Sequence, residues 1–321
     1  MFKKILLFMI ALLSFTACSA NKEVSETENV SKNEVESKDD NKKNITATTT
    51  FIADMVNELI ADKANVDTII PAGEDPHVYV AKPEDYNKIT DADLVLYHGL
   101  HFEGKMVDAL ESAGYAVAST FDKNKLGEME EDEGTVTDPH FWFDIDLYKE
   151  AFTNTANKLK ELYESDDKML KLIDENYDRY IKELDSLDKY IAERLNELPD
   201  GDKYLVTPHD AFNYFSRRYN ISVIAPQGVT TESEVSNKDL EDTAQFIADK
   251  KIKAIFAEST TNPERMEKLA DIVKSKGFET KIVQGDGKEL FSDSLAEKGQ
   301  NGDNFIDMYK HNVDLIVDNL K

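Results

Sequence analysis

Hydrophobic positions fall into three regimes along the chain. Residues 5–15 form an almost wholly apolar run behind Lys3 and Lys4. Residues 19–44 contain only Ala20, Val24, Val30 and Val35 as apolar positions, and no aromatic, glycine or proline. From Ile45 onward, short apolar or β-branched runs alternate with amphipathic stretches. The runs at 45–50, 66–71, 93–97 and 115–120 predict strands, with helices at 51–63, 83–90 and 103–113 between them and another at 146–165. After Pro199 the alternation resumes, with strands at 203–207, 221–226, 253–257 and 279–283 and helices at 210–219, 237–250, 263–276 and 304–320. Strands interleaved with helices in this way imply parallel βαβ units. The fold class is α/β, as two (βα) lobes with parallel sheets.

One helical pattern joins the lobes. Leu170, Ile173, Tyr177, Tyr180, Leu184, Leu187, Ile191, Leu195 and Leu198 are spaced by three and four, and neither Gly nor Pro interrupts residues 166–198. Such a helix would be a rod of about 50 Å. A free coiled coil is the competing reading of this spacing. Folded sequence close on either side favours a single backbone helix packed along both lobes, with limited hinge motion. The expected organisation is thus a lobe at 45–165, the helix at 166–198 and a second lobe at 199–321.

The N-terminal run is too short to span a membrane, which takes about 20 residues, but it suits the apolar region of a signal peptide. Small residues lead directly into the cysteine in Thr16-Ala17-Cys18. This resembles a lipobox, with cleavage after residue 17 and lipid on the sulfur of Cys18. An ordinary signal peptide that happens to contain a cysteine is the alternative. Residues 18–44 then read as a disordered tether, too poor in apolar surface to offset chain entropy.

Composition narrows the chemistry. The net charge of −26 argues against a nucleic-acid partner, which needs an excess of Lys and Arg, and suits a cationic ligand. A single cysteine excludes a disulfide framework, a cysteine-based zinc finger and an iron–sulfur cluster. Of the 6 histidines, three directly follow proline, in Asp75-Pro76-His77, Asp138-Pro139-His140 and Thr207-Pro208-His209. Chance pairing of 6 histidines with 8 prolines in 321 residues gives far fewer than one such dipeptide. Proline fixes its own φ and extends the residue before it, so each imidazole leaves its strand end in a restrained direction. Ligands of open α/β sheets bind beyond the carboxyl ends of strands, so facing lobes could bring His77, His140 and His209 together. Three imidazoles, ideally with a carboxylate, suit Zn²⁺ and tolerate Mn²⁺ or Fe²⁺. His98 and His101 occupy a strand-to-helix turn where either could support a ligand, and His311 lies within the last helix as a structural residue.

These motifs resemble the zinc/manganese-binding lipoproteins of bacterial ABC importers, the cluster A-I or TroA-like group. The similarity is carried by Gly73–His77, Leu96–Glu103, Asp138–Trp142, Thr207–Phe215, Phe256–Ser259 and Leu290–Ser294, in that order. It implies two lobes joined by one long helix with metal between them, and ligands at His77, His140, His209 and Asp293. Glu258 is expected to orient a ligand, as is His101. The implied function is capture of Zn²⁺ or Mn²⁺ outside the cytoplasm and delivery to a membrane permease with its ATPase subunit. The chain would act as a lipid-anchored monomer and not as an enzyme. Zinc-specific members often carry a long His-rich loop before the second Asp-Pro-His. Here Glu128–Gly134 is short and lacks His, so a solvated loop or a weak cation-collecting lid is expected. Members with Glu at the third position lean toward manganese, whereas His209 favours the tighter-binding Zn²⁺ on intrinsic affinity. A zinc hydrolase would need an open coordination position and a base, and no H-E-x-x-H motif is present. A surface adhesin remains the other alternative.

Overall fold

The computed structural model describes residues 42–131, 134–285 and 287–321. The expected signal peptide, Cys18 and nearly all of the expected tether lie outside the described residues. The first strand begins one residue earlier than the pattern suggested. Asn44 pairs with Asn65, and the Asp93 carboxylate accepts from the Asn44 N–H and from Lys43.

The first lobe runs β1 (Asn44–Ala47), α1 (Thr50–Ile60), β2 (Asn65–Thr68), α2 (Pro83–Thr90), β3 (Leu94–Tyr97), α3 (Val107–Ala113), β4 (Tyr115–Ala116), β5 (Glu128–Glu131), β6 (Gly134–Thr137) and α4 (Ile145–Leu162). Its sheet has the order β2-β1-β3-β4, and every pairing is parallel. The strands are shorter than their apolar runs for local reasons. Thr49 leaves the first to cap α1, its hydroxyl accepting from the Ile52 N–H. Pro71 has no N–H with which to extend the second. Turns at Ser119 and Phe121 end the fourth, where these N–H groups bond back to Ala116 and Ala118.

The described residues of Glu128–Gly134 are not loop but strand. Here β5 and β6 form an antiparallel hairpin, with Glu128 opposite Thr137 and Met129 opposite Val136. Thr135, Val136 and Thr137 are β-branched residues that favour a pleated strand. Counting acidic residues hid that signal. The Tyr214 hydroxyl accepts from Gly127 and donates to the Asp138 carbonyl, fastening the hairpin base to the second lobe.

The long connector is α5 (Asp167–Leu195). Asp166 caps it, accepting from the N–H groups of Lys168 and Met169. It stops three residues short of the expected Leu198, because a residue before proline avoids the helical region. Its buried stripe of Ile173, Tyr180, Leu184, Leu187 and Ile191 packs against α1 and α4 on the first lobe. It also packs against the final helix on the second.

That second lobe continues with β7 (Tyr204–Val206), α6 (Asn213–Tyr219), β8 (Ser222–Ile224), α7 (Asn237–Lys250), β9 (Ala254–Phe256), α8 (Glu264–Ser275), β10 (Lys281–Val283) and α9 (Phe305–Leu320). Strands pair in parallel as β7 with β8 and β9 with β10. Side chains alternate between two apolar layers. Leu205, Ala254 and Phe256 join a core shared with the first lobe, α5 and α9, whereas Val206 and Ile255 face a local layer under α7 and α8. In β3 the same alternation sends Leu96 to the shared core and Val95 and Tyr97 to an outer layer. One continuous core therefore runs through both lobes and the connector. Among the described residues, no helix is long and apolar enough to cross a membrane.

Candidate metal centre

Each Pro-His turn is built by the residue before the proline. The Asp75 carboxylate accepts from the His77 N–H at 3.0 Å, and the Asp138 carboxylate accepts from the His140 N–H at 3.0 Å. These are Asx turns, in which proline supplies the fixed φ and no competing donor. In the third motif Thr207 replaces Asp, and its hydroxyl donates to the His209 carbonyl. His209 lies just past β7 and bridges to Gln227, while Glu258 lies just past β9 and bridges to Leu290. Both therefore sit at the carboxyl ends of their strands. Asp293 is held partly by the opposite lobe: Trp142 donates its indole N–H to the Ser292 carbonyl at 2.9 Å, and Gly73 donates to the Ser294 hydroxyl at 3.0 Å.

His77, His140, His209 and Asp293 converge, their candidate donor atoms all within 4.8 Å of one another and all four residues buried. Nε2 of His140 lies 3.4 Å from Nε2 of His77 and 3.4 Å from Nε2 of His209. Asp293 lies 3.3 Å from His140 through one oxygen and 3.3 Å from His209 through the other. Bonds of about 2.0–2.1 Å around a tetrahedral ion give ligand–ligand edges of about 3.3–3.4 Å. The two imidazole–imidazole spacings have that length, and Asp293 reaches His140 and His209 through its two separate oxygens.

Two imidazoles are locked by carboxylates. His140 Nδ1 lies 2.7 Å from Asp138, and His209 Nδ1 lies 2.5 Å from Glu258. An N–H donated at Nδ1 leaves the lone pair on Nε2, directed at the common centre. Glu258 is the carboxylate behind His209. Asp138 fills the same role for His140 and was missed, although its own Asp-Pro-His motif was the available signal. The charges follow from this geometry. Burial pulls His77 down to about 3. Burial also opposes a proton on His140, but the carboxylates of Asp138 and Asp293 outweigh it and raise this residue to about 9. For His209 the same opposition is overcome by Glu258 and Asp293, which raise it well above the ordinary value. Asp293 is depressed well below its usual range because His209 and His140 overcome the effect of burial. The centre is a buried anion among imidazoles, which a divalent cation can bind by displacing protons.

The remaining histidines stand apart from it. His98 is buried among Phe51, Phe102, Phe141 and Trp142, with Nε2 2.7 Å from the Thr49 hydroxyl. His101, expected to orient a ligand, is exposed and makes no hydrogen bond to the four converging residues among the described residues; it lines a cavity that reaches His77. His311 is structural, as expected, contacting the Glu289 carbonyl and Asn301.

Residues 45–319 match the model of one protein family, described as the periplasmic zinc-uptake complex component A, ZnuA. The zinc-binding protein TroA of Treponema pallidum is 36% identical over 287 residues, which is 87% of this chain and 89% of that protein. The manganese-binding lipoprotein MntA of Bacillus subtilis is 35% identical over 283 residues, covering 86% of this chain and 89% of MntA. A solved structure of TroA superposes with a TM-score of 0.85 at 52% identity, across 87% of this chain and all of that one.

Proposed function

The chain belongs to the zinc-uptake component A family, the metal-capturing subunits of ABC importers, and from that membership we propose that it binds one divalent transition-metal ion and hands it to a membrane permease. The ion is held by His77, His140, His209 and Asp293. The observation that carries this reading is the clustering of three imidazoles and one carboxylate: His140 Nε2 lies 3.4 Å from Nε2 of both His77 and His209, and Asp293 lies 3.3 Å from both His140 and His209, with two of the rings fixed from behind. Three nitrogens and one oxygen bind Zn²⁺ more tightly than Mn²⁺ on intrinsic affinity. Relatives named for each metal leave supply to decide the physiological cargo.

A hydrolase reading fits poorly. Four protein donors would fill a tetrahedral shell, and Glu258, the candidate base, is engaged with His209. The family membership supports reading the chain as a carrier. The lobes are taken as residues 45–165 and 199–321, with residues 166–198 as the connector, in a monomer held outside the cytoplasm by lipid on Cys18. Membrane retention of a Cys18→Ser chain would remove the anchor from this reading.

Elemental analysis after dialysis against controlled free Zn²⁺ and Mn²⁺ tests the function directly. One equivalent of metal is expected, with Zn²⁺ prevailing at equal free concentrations. No bound metal at saturating concentrations of either ion would overturn the reading.

A further inference from the structure

A cavity of about 470 Å³ leads from solvent to His77. Its walls come from both lobes: His101 after β3, Thr137 and Pro139 on the approach to His140, and Thr230, Glu232 and Ser233 on the loop after β8. Glu232 supplies a carboxylate, and among the described residues no Lys or Arg lines the cavity. An approaching cation meets no like charge there, and a cleft of one sign concentrates the opposite ion. His77 is 3% exposed at the inner end, whereas His101 is exposed at the outer one.

The turn that carries His101 is under unusual constraint. Gly99, Leu100 and His101 have successive φ values of 86°, 57° and 62°. Left-handed backbone at two adjacent L-residues is unfavourable and persists only where the surroundings impose it. Here the buried Glu103 carboxylate accepts from the N–H groups of His98 and Gly99 and from the Thr48 hydroxyl. Gly104 then lies so close to the His77 carbonyl that a Cβ there would sit 2.0 Å from its oxygen. The turn is therefore seated on the backbone of His77 and holds His101 at the cavity mouth. The His101 ring has no hydrogen-bond partner among the described residues.

We propose that His101 and Glu232 form an entry station, a solvent-facing imidazole and carboxylate that take a divalent cation such as Zn²⁺ from water and pass it inward to His77. This inference rests on the four-residue reading of the inner site. Imidazole nitrogen and carboxylate oxygen are both ordinary zinc donors, and two of them hold an ion loosely enough to release it. Because the station touches the ion only in transit, it lowers the barrier to entry and exit alike. It changes rates and leaves the equilibrium nearly untouched.

The experiment is stopped-flow competition between the full chain and a colorimetric zinc indicator, with the equilibrium Kd for Zn²⁺ measured on the same preparations. His101→Asn is the main variant, since Asn tolerates left-handed backbone and preserves the turn; Glu232→Gln is the second. His101→Asn is expected to slow association by ~10-fold, the low end of what a focusing cleft adds to an on-rate. Dissociation should slow with it, leaving Kd nearly unchanged, and Glu232→Gln should act in the same direction. Unchanged association would overturn the proposal. So would a weakened Kd with an unchanged on-rate, which would place His101 in the inner site. Failure of the unsubstituted chain to bind Zn²⁺ would instead sink the inner-site reading and this inference with it.

Discussion

His140 and His209 each present Nε2 to the centre because a carboxylate holds the other ring nitrogen, and this division of labour sets graded expectations. Alanine at His77, His140, His209 or Asp293 removes a donor and should weaken Zn²⁺ binding severely in calorimetric titration. Asp138→Asn or Glu258→Gln leaves all four donors and should cost about 10–100-fold. Equal losses from both groups would contradict the assigned roles. The proton on His140 adds a pH dependence. With its folded value at about 9, above the ordinary 6.5, this proton stabilises the metal-free fold below pH 6.5. That stabilisation is lost as pH rises through about 9. Metal must displace the same proton, so Zn²⁺ affinity should keep rising across this window while metal-free stability falls. Titrations in buffers of different ionisation enthalpy would detect the released protons, and a zero count would refute the argument. The three histidines were legible from their prolines. Asp293 was legible only through resemblance, because in so acidic a chain no local pattern distinguishes it. Asp138 stands in the Asp-Pro-His motif itself, but nothing in the sequence tells whether its carboxylate orients the ring beside it.

Helices were easier to read than strands, and α5 shows why. Nine apolar positions at intervals of three and four leave little ambiguity, and only the proline-limited last turn differed. Strand runs were overextended because ladder pairing ends where a cap or turn claims the backbone, as Thr49 does for α1. The hairpin β5–β6 escaped notice because its acidic composition masked short β-branched alternation. At this scale the connector carries a stability prediction. Leu184 is fully buried in the shared core, so Leu184→Ala should destabilise the protein by ~2–5 kcal/mol. Asp166→Ala, which removes only the cap, should cost about 1 kcal/mol. Urea denaturation followed by circular dichroism would rank the two, and the reverse order would argue that α5 is not a core element.

Across the whole molecule, the lobes are joined by more than their connector. Asp54 on α1 accepts the N–H of Phe305 on α9, Tyr148 stacks on Phe305 at 3.6 Å, and Arg218 pairs with Asp144 and Asp146. Donors from both lobes meet at one centre, so an ion bound there should stabilise the folded chain as a unit. At a thousandfold excess over Kd the gain is about 4 kcal/mol. Calorimetric scans should show one transition moving upward with metal, whereas two transitions, only one of them responsive, would disprove this coupling. Two lobes and a connector could be read from the sequence, but not the continuity of their core. That continuity depends on which face of each strand turns inward.

The only tryptophan of the chain, Trp142, has a ring centroid 5.2 Å from that of His140 and an indole N–H bonded to the loop that carries Asp293. It therefore gives the unlabelled protein an intrinsic optical gauge. A neighbouring imidazolium quenches indole emission, so replacing its proton with closed-shell Zn²⁺, which has no redox chemistry, should brighten the protein. Open-shell Mn²⁺ at the same distance opens non-radiative decay and should dim it. The sign of a single fluorescence change would then report both that the carrier is loaded and which metal it carries.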